Sequence, residues 1–188
     1  MALTSSLVPL GTPAPDFALP DVHGERYSLS LFNTTALVVV FACNHCPYVR
    51  HLENELCRFV PSADLSVVAI CPNDIARYPD DAPTKLAEQA KRAGWRFPYL
   101  VDADQSVARA YGAVCTPDFF VYGADRTLAY RGAFDASTPG NQEPVTGREL
   151  RHAVDLVVAG KPVPEPHRPS MGCGIKWLPG NEPEVLTA

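Results

Sequence analysis

The sequence predicts an α/β domain built on one sheet of mixed strand direction with helices on both faces. Three observations carry this reading. Between residues 36 and 160, β-branched runs of buried-strand length alternate with segments whose apolar residues recur at helical spacing, the pattern of parallel crossovers. The later stretch "DFFVYGADRTLAYRGA" reads as two strands joined by a tight turn at Gly123 to Arg126, which adds an antiparallel pair. A chain of 188 residues, 46% hydrophobic and 20% charged, is long enough to bury one sizeable core.

In chain order, "PDFALPDVHGERYSLS" is expected to form a small hairpin turning at His23 and Gly24. "ALVVVFA", from Ala36, is the first buried strand, and "LSVVAI" and "PYLVDA" supply the next two. A helix is expected to start at Cys43 and run to about Val60, because Leu52, Leu56, Phe59 and Val60 share a face. Leu86, Ala87 and Ala90 mark a second helix, and Leu150, Val154, Val157 and Val158 a last one. The acidic "YPDDAP" reads as a loop and helix start, since Asp before an apolar-periodic segment caps a helix well. "KPVPEPHRP" is an extended connector, so residues 1–160 form the domain and 161–188 a Pro-rich tail packed on it or flanking it.

A net charge of −5 and a pI near 5.5 leave no basic stripe for nucleic acid or anionic lipid. The first Lys or Arg is Arg26, and no early apolar run has signal-peptide length, so no secretory leader is expected. The longest apolar stretch, Ala36 to Cys43, is far shorter than the ~20 residues that cross a bilayer. The expected location is therefore cytoplasmic, where a functional cysteine pair is catalytic or metal-binding rather than a structural disulfide.

Six cysteines are present, and Cys43 and Cys46 stand three apart at the carboxyl end of a strand. That edge of an open α/β sheet favours active sites. On a first helical turn the two thiols would reach the ~4.4 to 6.8 Å Cα separation that a disulfide requires. The helix N-terminus favours a thiolate there, and His45 and Arg50 add positive charge, making Cys43 the expected nucleophile and Cys46 the resolving thiol. The bland alternative is two buried core thiols. Cys57 and Cys71 read as packing residues, the latter at the same sheet edge as Cys43; Cys173 is either an inert tail thiol or one that folds back over the core. His23, His51, His152 and His167 fall in no metal spacing and read as surface residues.

With "FACNHCPYV", "AICPND", "RFPYLVDADQSVARAYGAVCTPDFFVY" and "GCGIKW" in this order, the chain resembles the thioredoxin-like fold over residues 9–160. Its opening, "GTPAPDFALPDVHGERYSLSLF", is similar to the AhpC/TSA and TlpA-type redoxins, and the motif strings resemble bacterial thiol-disulfide isomerase or thioredoxin proteins. The resemblance implies that Cys43 and Cys46 are the redox pair and that Pro117 is a cis-proline facing them. It further implies that the backbone of Thr116 pairs with an extended substrate segment, while Asn44, His45 and Cys115 support the site. No cofactor is implied beyond the redox-active disulfide and an external electron donor. The implied partner is a protein or small-molecule disulfide. Neither the donor nor the oligomeric state is legible.

Three departures stand out. The buried acid of thioredoxins, six residues before the first cysteine, is replaced by Leu37, with Asp74 or a water as substitutes. Asn44 and His45 intervene between the cysteines where thioredoxins carry Gly-Pro, and Cys115 precedes Pro117 by two residues. Histidine before the second cysteine is shared with the oxidant DsbA, at about −120 mV against about −270 mV for thioredoxin. A reducing cytosol favours a reductase or isomerase instead. Two further readings stay open. A peroxidase needs a hydroxyl three positions before the reactive cysteine, where this chain has Val40 for Cys43. A zinc or Cu(I) module would use Cys43, Cys46 and Cys115 or a histidine, but lacks a second Cys-x-x-Cys.

Overall fold

The structure is a computed structural model that describes residues 2–5 and 8–183. Its strands are β1 (Ala2–Thr4), β2 (Ala18–Pro20), β3 (Arg26–Ser28), β4 (Ala36–Phe41), β5 (Leu65–Cys71), β6 (Tyr99–Val101), β7 (Cys115–Thr116), β8 (Asp118–Tyr122), β9 (Leu128–Gly132) and β10 (Met171–Gly174). The helices are α1 (Pro47–Leu56), α2 (Pro83–Ala93), α3 (Ser106–Ala110) and α4 (Arg148–Val158).

The central sheet has the order β6-β5-β4-β8-β9. β4, β5 and β6 run parallel, while β8 lies antiparallel to β4 and to β9. All six residues of β4 are buried, as its unbroken apolar run requires of a strand covered on both faces. On one face Val38 and Val40 meet Val49, Leu52 and Leu56 of α1, Leu86 of α2, and Leu150 and Val154 of α4. On the other, Leu37, Val39 and Phe41 meet Val107 of α3, Phe17 and Phe32 beside the hairpin, and Ile175 and Trp177 of the tail. Leu37 thus fills an apolar layer, consistent with the loss of the buried acid there.

Two boundaries differ from the sequence reading. α1 begins at Pro47, not Cys43, and ends at Leu56. Proline is favoured at the first helical position because its missing N–H would be unpaired anyway. It also biases the preceding residue away from helix, and Cys46 accordingly stands outside as the N-cap, at φ −74° and ψ 121°. α2 has Ala82 as its N-cap with no side-chain cap, so the acids of "YPDDAP" do not cap it. The helix stops at Gly94, whose φ of 72° is the left-handed turn glycine takes without steric cost.

The tail is structured beyond its connector. β10 pairs antiparallel with β1 on one side and with β7 on the other, forming a second, three-stranded sheet. The two-residue strand β7 is joined through Pro117 to β8 of the main sheet, so the two sheets meet at "CTPD".

Candidate active site

β4 delivers Cys43 at its carboxyl end, and a non-helical tetrad places Cys46 at the N-cap of α1. Both thiols are free and fully buried. They meet at Thr116: the Cys43 Sγ lies 3.2 Å from the Thr116 Oγ1, and the Cys46 Sγ lies 3.1 Å from the Thr116 carbonyl oxygen, which accepts from it when Cys46 is protonated. The Thr116–Pro117 peptide is cis. Cys115, next on the same short strand, is buried with its thiol toward the Pro117 carbonyl at 3.7 Å, and burial, with the charges of Asp118 and Cys46 behind it, raises its pKa.

The shift of the helix start redistributes charge. The donors that stabilise an anion fall on Cys46, whose sulfur accepts from the Cys43 thiol, the Val49 N–H in the first turn of α1, and the thiol and N–H of Cys173. The Cys43 hydrogen bond and these N–H groups outweigh burial and pull Cys46 down to about 5. Burial pushes Cys43 well up, and its bond to Cys46 and the charge of Asp81 add to this. The two thiols titrate as one coupled pair, and the donors around Cys46 favour an anion there. Because α1 begins at Pro47, its first-turn N–H groups face Cys46 rather than Cys43.

Asp81 is the residue that sequence reasoning missed. Its side chain is fully buried against the tetrad, and its two oxygens accept four bonds. The donors are the N–H groups of Asn44 at 2.8 Å and His45 at 3.1 Å, the His45 Nδ1 at 2.6 Å and the Asn73 Nδ2 at 2.8 Å. Burial alone would raise its pKa, but the His45 and Asn73 bonds outweigh it and hold Asp81 below its ordinary value. Asp74, the acid named as a substitute, instead accepts the Ala76 N–H in its own turn. The acidic pair of "YPDDAP" reads locally as a helix cap, and only the β5–α2 connection brings Asp81 beside Cys43.

His45 also stacks on Tyr78, with ring centroids 5.1 Å apart. The Asn44 side chain donates to the Asp80 carbonyl and accepts from Arg92. Beneath the tetrad, buried Gln89 donates to the Cys43 carbonyl at 3.3 Å and to Glu53 at 3.1 Å, and accepts from the Tyr99 hydroxyl. Arg50 is exposed. A sulfur, a ring nitrogen and a carboxylate oxygen of Cys43, His45 and Asp81 lie within 4.8 Å of one another. Both Asp81 oxygens are already saturated by donors, so an ion there would have to displace them.

The remaining candidates separate. Cys71 ends β5, is buried, and its pKa is driven up by burial; Cys57 is half-buried at the end of α1, donating to the Asn54 carbonyl. His23 and His152 are exposed, as read. His167 is buried against Tyr130 and Arg131, contrary to the surface reading, and half-buried His51 bonds Ser137 at 2.7 Å. A pocket of about 370 Å³ opens beside Pro117, lined by Tyr48, His51, Phe134 and Met171 among others and by neither cysteine of the pair.

Fold and thiol pair together define the class: a thioredoxin-like protein with two apposed cysteines at the end of its central strand. The chain belongs to the AhpC/TSA family, which it matches over residues 10–131. It is 33% identical over 122 residues to a Mycobacterium tuberculosis protein named "Putative peroxiredoxin", covering 60% of this chain and 69% of that one. It is 26% identical over 155 residues to the thiol:disulfide interchange protein DsbE of Allochromatium vinosum, covering 80% and 78%. A solved hypothetical protein from Sinorhizobium meliloti 1021 shares 46% identity with a TM-score of 0.90, over 94% of this chain and 99% of that one. Among the described residues no helix is long and apolar enough to cross a membrane.

Proposed function

We propose that the protein is a thiol-disulfide oxidoreductase, a reductase or isomerase, working through Cys43 and Cys46. The observation that supports this most directly is the pair itself: two buried, coupled cysteines whose sulfurs both lie within 3.2 Å of Thr116 oxygens beside the Pro117 turn. The Cys46 thiolate attacks one sulfur of a substrate disulfide; that S–S bond breaks and the first substrate thiolate leaves. The second thiol of the pair then loses its proton and attacks the Cys46 sulfur, releasing the second substrate thiolate. Two electrons have passed to the substrate, and Cys43–Cys46 is a disulfide. An external thiol donor restores it. The DsbE relative supports this reading, and no cofactor beyond the two sulfurs enters it.

The test is turnover of oxidised glutathione with dithiothreitol as donor. Cys46→Ser is expected to lose turnover, with wild-type protein accumulating a Cys43–Cys46 disulfide when the donor is withheld. Full turnover in Cys46→Ser would refute the proposal.

A second reading, peroxide reduction, is favoured by the family and by one contact. Val40 supplies no hydroxyl, but the Thr116 hydroxyl sits 3.2 Å from the Cys43 sulfur. Burial and the neighbouring Cys46 keep Cys43 protonated, so peroxide turnover is expected to be slow.

A further inference from the structure

β10 is laid across the redox pair. In the β7–β10 ladder Cys173 stands opposite Thr116, the residue that both redox sulfurs contact. Side chains of directly opposed residues share a face with Cβ atoms about 4.5 to 5.5 Å apart. The Thr116 side chain points at Cys43, so the Cys173 side chain enters the same space. There it packs against the cluster that contains Cys43 and Cys46, close enough to be one of the groups that lower Cys46. The approach depends on the preceding glycine: a Cβ on Gly172 would lie 2.0 Å from the Thr116 carbonyl oxygen and 3.0 Å from the Pro117 nitrogen. A backbone neighbour cannot move aside, so only glycine lets β10 come this close. Of the three sulfurs, Cys43 and Cys46 are fully buried while Cys173 retains solvent access.

We propose that Cys173 is a third redox thiol, exchanging with Cys46 to form a Cys46–Cys173 disulfide that links the buried pair to solvent. This rests on the thiol-disulfide reading above. With a substrate sulfur attached to Cys46, the Cys173 thiolate attacks the Cys46 sulfur, the Cys46–substrate bond breaks, and a substrate thiolate leaves. The proton of Cys173 goes to solvent. Alternatively, Cys173 attacks the Cys46 sulfur of the Cys43–Cys46 disulfide and frees Cys43 as a thiolate; bonds and electrons balance in both. Burial, with the thiol bond and charge of Cys46 behind it, pushes Cys173 up to about 11, while Lys176 acts the other way. Once Cys46 is engaged in a disulfide it is no longer an anion, and both of its contributions vanish. The first step thus removes the part of the upward shift that Cys46 supplies, while the part from burial stays.

The same strand accounts for the lack of exposure of the pair. The edge of Thr116 that the resemblance assigns to an extended substrate is occupied by residues 173 and 174 of the chain's own tail. Met171, 46% exposed, sits on the rim of the adjoining pocket. A protein disulfide would have to displace β10, whereas Cys173 can be reached from solvent with the strand in place.

The test uses the full chain with Cys43→Ser, treated with oxidised glutathione, then alkylated under denaturing conditions and mapped by mass spectrometry. The expected product is a Cys46–Cys173 disulfide with no retained glutathione, and Cys43→Ser/Cys173→Ser should instead hold a stable glutathione adduct on Cys46. A stable adduct in Cys43→Ser with Cys173 free would overturn the third-thiol proposal and leave the pair mechanism standing. Cys46 free of both would overturn the two together. Wild-type protein in glutathione buffers serves as a control against misfolding: both Cys43–Cys46 and Cys46–Cys173 linked peptides are expected, and total absence of the second would also overturn the proposal.

Discussion

Replacing Asp81 by Ala tests how the tetrad is held. The carboxylate is fully buried and receives four donors at 2.6 to 3.1 Å, three of them from the Asn44–His45 segment between the cysteines. Truncation leaves two backbone N–H groups and the Asn73 amide without their acceptor, each worth about 1 to 3 kcal/mol when desolvated. Half-buried Asn44 and His45 let water recover part of this, so the loss is expected to be about 3 to 5 kcal/mol. For a chain of this size that corresponds to a fall in Tm of roughly 10 °C. Urea unfolding of the reduced protein, followed by circular dichroism, measures it. The pH dependence has a definite sign. Because Asp81 is held below its ordinary value in the fold, its contribution is present above about pH 4 and is lost as pH falls through the folded pKa. A change below about 1 kcal/mol at pH 7 would refute the claim that Asp81 anchors the loop.

Other outcomes follow from the same structure. Asp118 is fully buried and burial raises it to about 7, so the fold binds a proton that the unfolded chain releases. Stability should therefore fall as pH rises from about 4 to 7, by up to about 4 kcal/mol, and Asp118→Asn should flatten that slope in pH-dependent melts. Gly172→Ala should push β10 off Thr116 and raise the alkylation rate of Cys43 and Cys46 at least about tenfold, an effect absent if the strand does not cover them. Gln89→Ala, which orphans the Tyr99 hydroxyl and the Cys43 carbonyl and leaves Glu53 to Arg92 alone, should cost about 2 to 4 kcal/mol in denaturant melts.

The central sheet was legible because its strands are continuous β-branched runs whose burial on both faces leaves no choice of register face. The hairpin at His23–Gly24 and the turn at Gly123–Arg126 were legible from turn chemistry. α3 was not, being five residues whose N-terminal N–H groups are held by Asp102 from outside the helix. β1, β7 and β10 are too short to show periodicity, and their pairing joins residues 2–4 to 171–173 across the chain. The start of α1 was misplaced because helical spacing after Cys43 was given more weight than Pro47. That one boundary turns the first-turn N–H groups toward Cys46 rather than Cys43. Asp81 escaped because its local sequence resembles a helix start, and its function exists only in contact with residues 36 positions away. His167 looked like tail surface until the tail was seen to fold against Tyr130.

The reduction potential of the Cys43–Cys46 couple tests the account most directly, measured by equilibration in glutathione buffers with thiols counted by mass spectrometry. A thiolate stabilised to about 5 favours the reduced form beyond that of thioredoxin, whose thiol lies near 7. The expected value is a two-electron couple between about −230 and −150 mV. A pair that forms no disulfide, or one at or below about −270 mV, would contradict it.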